Sequence, residues 1–391
     1  MLWREKYCVI ISEITIKREA FDVRKKRILA TSLVIVLTST LWLSNIEASS
    51  AVETTKQVSQ SYSSTHYFKD VKKTFWAAES IKSFVDQGFI QLYPDGSFKP
   101  NRITTREEAA CAIARAMEIS LESDFTLNAT DVPVTHPYHK EIRKLAELGI
   151  IQNTSQFNPN APLTRAQVSK MLANAFEIVV DQKNKKVFKD YSSTYWAKDI
   201  IESLADVGII HGTSNTTFSP NQSVTRVQLV ELTKRAMEFR NKVKHLEVAY
   251  DYLAKEYIST PITAGNWAKE VVSLINVERE KQHLPPLQND AKLQQLAIIK
   301  AQDMIKRKYF DHESPYYGLP WDMATLFDYD YTSFGENIAR NFNSPQEVVS
   351  AWMASEKHRS NILKGNYTNI GIGIKRDSAG KFYWVQLFSS K

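Results

Sequence analysis

The sequence predicts an α+β protein of several domains: an all-helical N-terminal part written in triplicate, a helical connector, and a C-terminal domain of helices followed by strands. Three observations predict it. A helix start of Thr-Arg and an apolar run recurs at Arg106, Arg165 and Arg226, at spacings of 59 and 61 residues. Apolar residues three and four apart continue past the third copy through residues 229–257. From Asn266 the pattern changes to longer helices and then to two stretches of strict alternation.

The composition is that of folded protein. Of 391 residues, 43% are apolar and 24% charged, which excludes a disordered chain, and the length allows two to four domains. The net charge of +7 is partly N-terminal. Residues 1–48 hold eight Lys/Arg and five Asp/Glu, which leaves 42 basic against 38 acidic residues, or +4, in the remainder. That bias is too weak to predict a nucleic-acid partner. With only Cys8 and Cys111, the chain has neither a disulfide framework nor a thiol zinc cluster.

Arg24-Lys25-Lys26-Arg27 precede an apolar run from Ile28 to Leu43, and small residues follow at Ala48-Ser49-Ser50-Ala51. This order predicts a secretory signal peptide over 1–48. The apolar core is short for a membrane span of about 20 residues, so no membrane partner is expected after cleavage. The stretch before Arg24 is long for a leader, and Val23 is an alternative start. Residues 49–65 are a polar linker.

Each repeat follows one order. Phe68-Lys69-Asp70-Val71, Ala129-Thr130-Asp131-Val132 and Phe188-Lys189-Asp190-Tyr191 open the copies, and an aromatic follows at Trp76, Tyr138 or Trp196. An amphipathic helix then ends at Gly88, Gly149 or Gly208, a residue suited to the left-handed C-cap. After a turn come Phe98-Lys99-Pro100, Phe157-Asn158-Pro159 and Phe218-Ser219-Pro220. The second helix opens with Thr104, Thr164 or Thr225, followed three residues later by Glu107, Gln167 or Gln228, the spacing of a capping box. The cap leaves Arg106, Arg165 and Arg226 at the positive end of a helix, a place suited to an anion. Such units stack as a solenoid or close around a common axis.

These motifs resemble the S-layer homology (SLH) domain, in three units at 66–122, 123–182 and 183–240. The resemblance implies a pseudo-threefold bundle whose grooves bind secondary cell-wall polysaccharide bearing a pyruvyl ketal. Its implied ligand residues are Arg106, Arg165 and Arg226, with Asp70, Asp131, Asp190, Trp76 and Trp196 shaping the grooves. A carboxylate ligand is chemically suited to guanidinium groups. The copies are unequal: Leu92 and Asn153 stand where the third copy keeps Gly212, and Tyr138 replaces Trp in the second. The third copy is the most complete.

Residues 241–265 are expected to be a helical spacer, ended by Ser259-Thr260-Pro261 because proline and its predecessor resist helix.

In 266–391, Tyr309-Phe310-Asp311-His312-Glu313-Ser314-Pro315, Gly335-Glu336-Asn337-Ile338-Ala339, a helix through Trp352, His358-Arg359-Ser360-Asn361-Ile362-Leu363, and the alternating runs Asn369–Ile374 and Phe382–Phe388 follow in order. The stretch resembles the CAP superfamily in its bacterial SCP-like branch. That implies an α–β–α sandwich with a cleft lined by His312, Glu336 and His358. The second acidic residue of the eukaryotic pattern falls on Ser355, beside Glu356. Two imidazoles and one carboxylate match either an open zinc site, with His312 and His358 as ligands, or an acid–base pair; no nucleophile with a dedicated base is legible. The third possibility is a ligand-binding cleft.

The whole predicts a secreted protein of a Gram-positive-type cell wall or S-layer. It is anchored non-covalently to anionic polysaccharide and displays a CAP domain for an unknown ligand. A wall-targeted, metal-assisted hydrolase using His312, Glu336 and His358 is the alternative, and an adhesin or toxin-like binding protein the third.

Overall fold

The second helix of every repeat begins on a threonine whose side chain and backbone are both engaged by the residue three positions on. In the computed structural model, which describes residues 65–391, these helices are α2 (Arg106–Ala116), α4 (Arg165–Ala175) and α6 (Arg226–Lys244), with capping boxes Thr105–Glu108, Thr164–Gln167 and Thr225–Gln228. The first copy thus departs from the Thr104–Glu107 expectation by one residue. Thr105 has the extended backbone a cap requires, and its alignment on Arg106 then matches the other copies. The expected signal peptide and most of the linker lie outside the described residues.

The first helices are α1 (Ala78–Asp86), α3 (His139–Glu147) and α5 (Lys198–Asp206). Two short strands, β1 (His66–Phe68) and β2 (Val71–Lys72), pair at the entry of the first repeat. Gly88, Gly149 and Gly208 sit at φ near +70°, as the C-cap reading expected. Each repeat's aspartate then fixes the following loop. Asp70 accepts from the N–H groups of Phe98 and Lys99, Asp131 from Phe157 and Asn158, and Asp190 from Phe218 and Ser219, all at 2.6–2.9 Å. Lys99, Asn158 and Ser219 occupy the left-handed region, and the carboxylate holds that unfavourable turn in place.

The repeats close on one another in a ring. The Arg106 N–H donates to Ala161, Arg165 to Gln222 and Arg226 to Arg102, each at 2.9 Å; the next N–H along donates to Pro159, Pro220 and Pro100. The first repeat therefore caps onto the second, the second onto the third, and the third back onto the first. Helices α2, α4 and α6 each pack against the other two. Ala109, Ala110, Ala112, Ala166, Val168 and Val230 are buried there, small side chains that let three backbones approach. One continuous apolar core runs through all three repeats.

The expected helical connector is not a helix over most of its length. Helix α6 ends at Lys244, Leu246 turns left-handed, and β3 (Val248–Asp251) pairs antiparallel with β4 (Glu256–Ser259) as a hairpin. The helical spacing of Phe239, Val243, Leu246, Ala249 and Leu253 was misleading. Tyr250, Tyr252, Tyr257 and Ile258 are strand-favouring residues, and Tyr250 and Tyr257 face each other across the hairpin with ring centroids 4.7 Å apart.

The C-terminal part has α7 (Ala264–Glu280), β5 (Gln288–Asn289), α8 (Ala291–Lys306), α9 (Pro320–Leu326), β6 (Ser333–Arg340), α10 (Pro345–Ala354), α11 (Glu356–Ile362), β7 (Asn369–Arg376) and β8 (Phe382–Ser390). The sheet order is β5-β7-β8-β6, antiparallel except for the β5–β7 pair. Alternation along the strands builds two cores. Ile370, Ile372 and Ile374 face Val271 and Ile275 of α7 and Val348 and Trp352 of α10. On the other side Ile338, Val385 and Leu387 pack with Leu293 and Ala297 of α8. Gly371 and Gly373 turn toward α8, where a Cβ would overlap the backbone of Leu293 and Ala297; these glycines let helix and sheet touch.

Candidate functional sites: an inter-repeat groove and a histidine cleft

The three predicted arginines do not stand as equal anion sites. Each reaches into the next repeat: Nε of Arg106 donates to the Phe157 carbonyl, Arg165 to Phe218 and Arg226 to Phe98, all at 2.8 Å. Each guanidinium also lies over the ring of that phenylalanine, at 4.4–4.8 Å. The helix N-termini are likewise occupied, because their leading N–H groups donate to the neighbouring repeat. The expectation of an anion cradled by helix N–H groups is therefore corrected: those donors close the ring.

What remains differs from groove to groove. Arg226 is 2% exposed; its Nη1 meets the Glu108 carboxylate at 2.8 Å and its Nη2 the Gln91 carbonyl at 2.7 Å. Arg102 and Tyr93 also donate to Glu108. The groove on the first repeat, a cavity of about 170 Å³ lined by Leu92, Cys111, Tyr138 and Arg226, thus contains its own anion. Burial pushes the Cys111 thiol up to about 12. Arg165 is 8% exposed and gives its Nη2 to the His211 carbonyl at 2.6 Å. Arg106 is different. Neither of its Nη atoms has a partner among the described residues, and it lines a cavity of about 260 Å³ with Gln167, Lys170, Phe157 and Trp196.

Position by position, Gln167 stands where the first groove has Glu108, and Lys170 where it has Cys111. Glu231 takes the same place on α6. Two cations therefore line the Arg106 groove with no carboxylate among the lining residues, although Asp131 acts on Arg106 from outside it. Trp196, 54% exposed, forms one wall, with Lys170 Nζ 5.9 Å from its ring centre. Trp76 is exposed at the matching place on the first repeat. The third copy, the most complete by motif, supplies the most enclosed arginine. The sequence signal that distinguishes the grooves is the residue five positions after each arginine: Cys111, Lys170 and Glu231.

In the C-terminal domain, His312 Nδ1 and Glu336 Oε1 are 2.7 Å apart. Glu336 comes from β6, on the face shared with Ile338; His312 comes from the loop after α8. The glutamate side chain is 2% exposed and the histidine side chain 50%. Glu336 Oε2 is buried without a partner among the described residues. Burial raises the Glu336 carboxyl, while His312 and Lys300 pull it back. The hydrogen bond to Glu336 raises His312 against the opposing effect of burial. His358, on α11, is lowered by burial and by the charge of His312.

Sequence reading missed the residues that hold this arrangement. Lys300, 1% exposed, donates to the His312 carbonyl at 2.7 Å and to the Tyr309 hydroxyl at 3.0 Å. Asp303 accepts from the hydroxyls of Tyr309 and Ser314, each at 2.6 Å. Both lie on α8 at a spacing of three, and polar residues inside an otherwise apolar helix were the available signal. On the opposite face of β6, Asn337 donates to Gln386 and to the His358 carbonyl, and Asn361 donates to Asn337.

Of the expected zinc set of His312, His358 and Glu336, the structure pairs His312 with Glu336 rather than gathering all three as ligands. Glu336 bonds one nitrogen of His312 from behind, the place of a carboxylate that orients a histidine, and no group of three or more His, Cys, Asp or Glu among the described residues is placed together. Glu356 is exposed in the first turn of α11, and Ser355 serves as the break between α10 and α11.

Groove and cleft define a chain of two modules, a ring of repeats and a mixed domain with a buried acid–histidine pair. Comparison with known proteins agrees. Residues 67–110, 130–169 and 187–229 match the S-layer homology domain, and residues 272–388 match CAP, the cysteine-rich secretory protein family. The chain carries three S-layer homology domains followed by a CAP domain.

It is 47% identical over 133 residues to the uncharacterized protein YkwD of Bacillus subtilis (strain 168), covering 34% of this chain and 51% of that one. It is 31% identical over 208 residues to the Surface-layer 125 kDa protein of Lysinibacillus sphaericus, covering 51% of this chain and 17% of that one. Among solved structures, an extracellular protein containing a SCP domain from Bacillus anthracis str. Ames aligns at a TM-score of 0.31 and 24% identity, over 39% of this chain and 50% of that one. The chain spans about half or less of the length of these relatives. Among the described residues no helix is long and apolar enough to cross a membrane.

Proposed function

We propose that this is a secreted cell-wall protein held at the bacterial surface by an anionic wall polysaccharide seated in the Arg106–Lys170–Trp196 groove. The observation that carries the reading is the pair of Arg106 Nη atoms left without hydrogen-bond partners among the described residues, sharing with Lys170 a cavity whose lining has no carboxylate; Asp131, the carboxylate that acts on Arg106, is held by the Phe157 and Asn158 N–H groups. A pyruvyl ketal carboxylate suits that pair, and the face of Trp196 suits the sugar ring. The match to S-layer homology domains, and relatives named as S-layer proteins, support the location and the partner. The cyclic hydrogen bonds of the repeats support a pseudo-threefold bundle. The two cores of the C-terminal sheet support an α–β–α sandwich of CAP type.

The CAP domain is the displayed cargo, a ligand-binding module whose ligand meets the exposed His312 and the neighbouring His358. A second reading is acid–base hydrolysis, favoured by one observation: a buried carboxyl with a raised pKa hydrogen-bonded to a half-exposed histidine. Ser314, the hydroxyl two residues from His312, is committed to Asp303 and does not serve as nucleophile. Pull-down on purified walls tests the anchor: binding is expected to vanish when the polysaccharide is stripped, and equal binding to bare peptidoglycan contradicts it. Turnover of wall fragments that is lost on His312→Ala would favour the second reading of the cleft.

A further inference from the structure

We infer that the connector hairpin is a working part of the CAP cleft, and that Asp251 on β3 is a positioning residue for His312. Asp251 lies outside both the family match at 272–388 and the C-terminal stretch that the sequence delimits. Yet it is 1% exposed, which an ionisable residue of a mere spacer has no reason to be.

Its Oδ1 accepts from the N–H groups of Leu253 and Ala254 at 3.0 and 2.9 Å, which shapes the hairpin turn. Its Oδ2 accepts from the hydroxyl of Tyr317, itself 3% exposed. Tyr317 closes the loop that carries His312: its N–H donates to Ser314 Oγ at 2.9 Å, and Ser314 Oγ donates to Asp303 at 2.6 Å. A backbone bridge between Ser314 and Gly318 completes that turn. From the other end, Lys300 holds the His312 carbonyl and the Tyr309 hydroxyl.

The loop bearing His312 is therefore clamped from α8 on one side and from the hairpin on the other. The opposite side of the hairpin is tied to the repeats. The Val179 N–H donates to the Tyr257 hydroxyl at 2.9 Å, and Phe239 of α6 packs edge-on against the Tyr257 ring at 4.9 Å. Gln295 of α8 donates to the Tyr250 carbonyl, Lys306 pairs with Glu256, and Lys375 of β7 donates to the Ser259 carbonyl. The repeats and the cleft thus share one joint, and the loop geometry that presents His312 to Glu336 depends on a residue of that joint.

The inference stands apart from the polysaccharide reading and from any activity of the cleft, because its readouts lie at the loop itself. In the full chain, Tyr317→Phe removes the hydroxyl and keeps the ring, Asp251→Ala removes the carboxylate, and Asp251→Asn retains an acceptor. Hydrogen exchange of residues 312–318 and the ring ¹⁵N shifts of His312 are measured alongside the melting curve. Tyr317→Phe and Asp251→Ala are expected to speed exchange in this loop at least about tenfold, the change for a lost hydrogen bond, and to move the His312 shifts away from the Glu336-bonded pattern. Asp251→Asn is expected to restore much of both. If Asp251→Ala fails to fold, Tyr317→Phe decides. Wild-type exchange and wild-type His312 shifts in a folded Tyr317→Phe protein overturn the inference.

Discussion

Arg226 of the third repeat donates from Nε to the carbonyl oxygen of Phe98 in the first, 128 residues earlier in the chain, at 2.8 Å. This bond, with its ion pair to Glu108, is the clasp that closes the ring. Glu108 keeps Arg102 and Tyr93 when Arg226 is removed, but the buried Phe98 and Gln91 carbonyls lose their charged donor, and a hydrogen bond to a charged group is worth about 1.5–3 kcal/mol. Arg226→Ala is therefore expected to lower the melting temperature of the repeats strongly. Arg106→Ala, whose terminal nitrogens have no partner, is expected to cost about 1 kcal/mol. Thermal melting of the two variants checks the order, and equal losses contradict it.

Gly373 gives a second prediction, confined to the C-terminal domain. A Cβ there would overlap the main chain of Ala297 on α8, and a helix backbone cannot move aside as a flexible side chain does. Gly373→Ala is expected to destabilise this domain by about 3 kcal/mol, the upper part of the range for overpacking, while the repeats keep their own transition. Calorimetry of the full chain resolves the two.

The His312–Glu336 pair makes stability depend on pH. Its hydrogen bond to Glu336 holds the folded His312 above the ordinary value of 6.5, so the folded state binds the proton more tightly than the unfolded one. The corresponding stabilisation is complete below 6.5 and fades as pH rises through the folded value. The raised Glu336 carboxyl has the same sign, binding its proton more tightly when folded. The lowered His358 has the opposite sign, but its effect is complete above 6.5, so denaturation between about pH 6.5 and 9 is expected to show stability falling with pH. In Glu336→Gln that slope should flatten, with His312 titrating closer to 6.5 by NMR.

The sequence carried the repeat order, the three C-cap glycines and the alternation of the last two strands, because each rests on local chemistry or strict periodicity. It also marked His312 and Glu336, which the fold brings within hydrogen-bonding distance. It misled where distant partners decide. The Thr104–Glu107 pair has the right spacing for a cap, but the ring contact of Thr105 with Pro162 places the cap one residue later. The helical period of 239–253 competes with a hairpin whose tyrosines pair across strands and pack on both neighbours. Arg226 looks as available as Arg106 in sequence, and Glu108 together with the Gln91 carbonyl and the Tyr93 ring engages its terminal nitrogens. Lys300, Asp303 and Asp251 escaped notice because their partners lie on other elements.

The central claim is that one groove, and not three, takes the wall polysaccharide. Its most direct test is the affinity of the full chain for purified pyruvylated wall polysaccharide, comparing Lys170→Ala with Glu231→Ala, the residue at the matching place on α6. Lys170→Ala is expected to weaken binding about 10- to 100-fold, the worth of a hydrogen bond to a charged group, with Glu231→Ala close to wild type. Unchanged binding in Lys170→Ala, in a protein that melts normally, contradicts the claim.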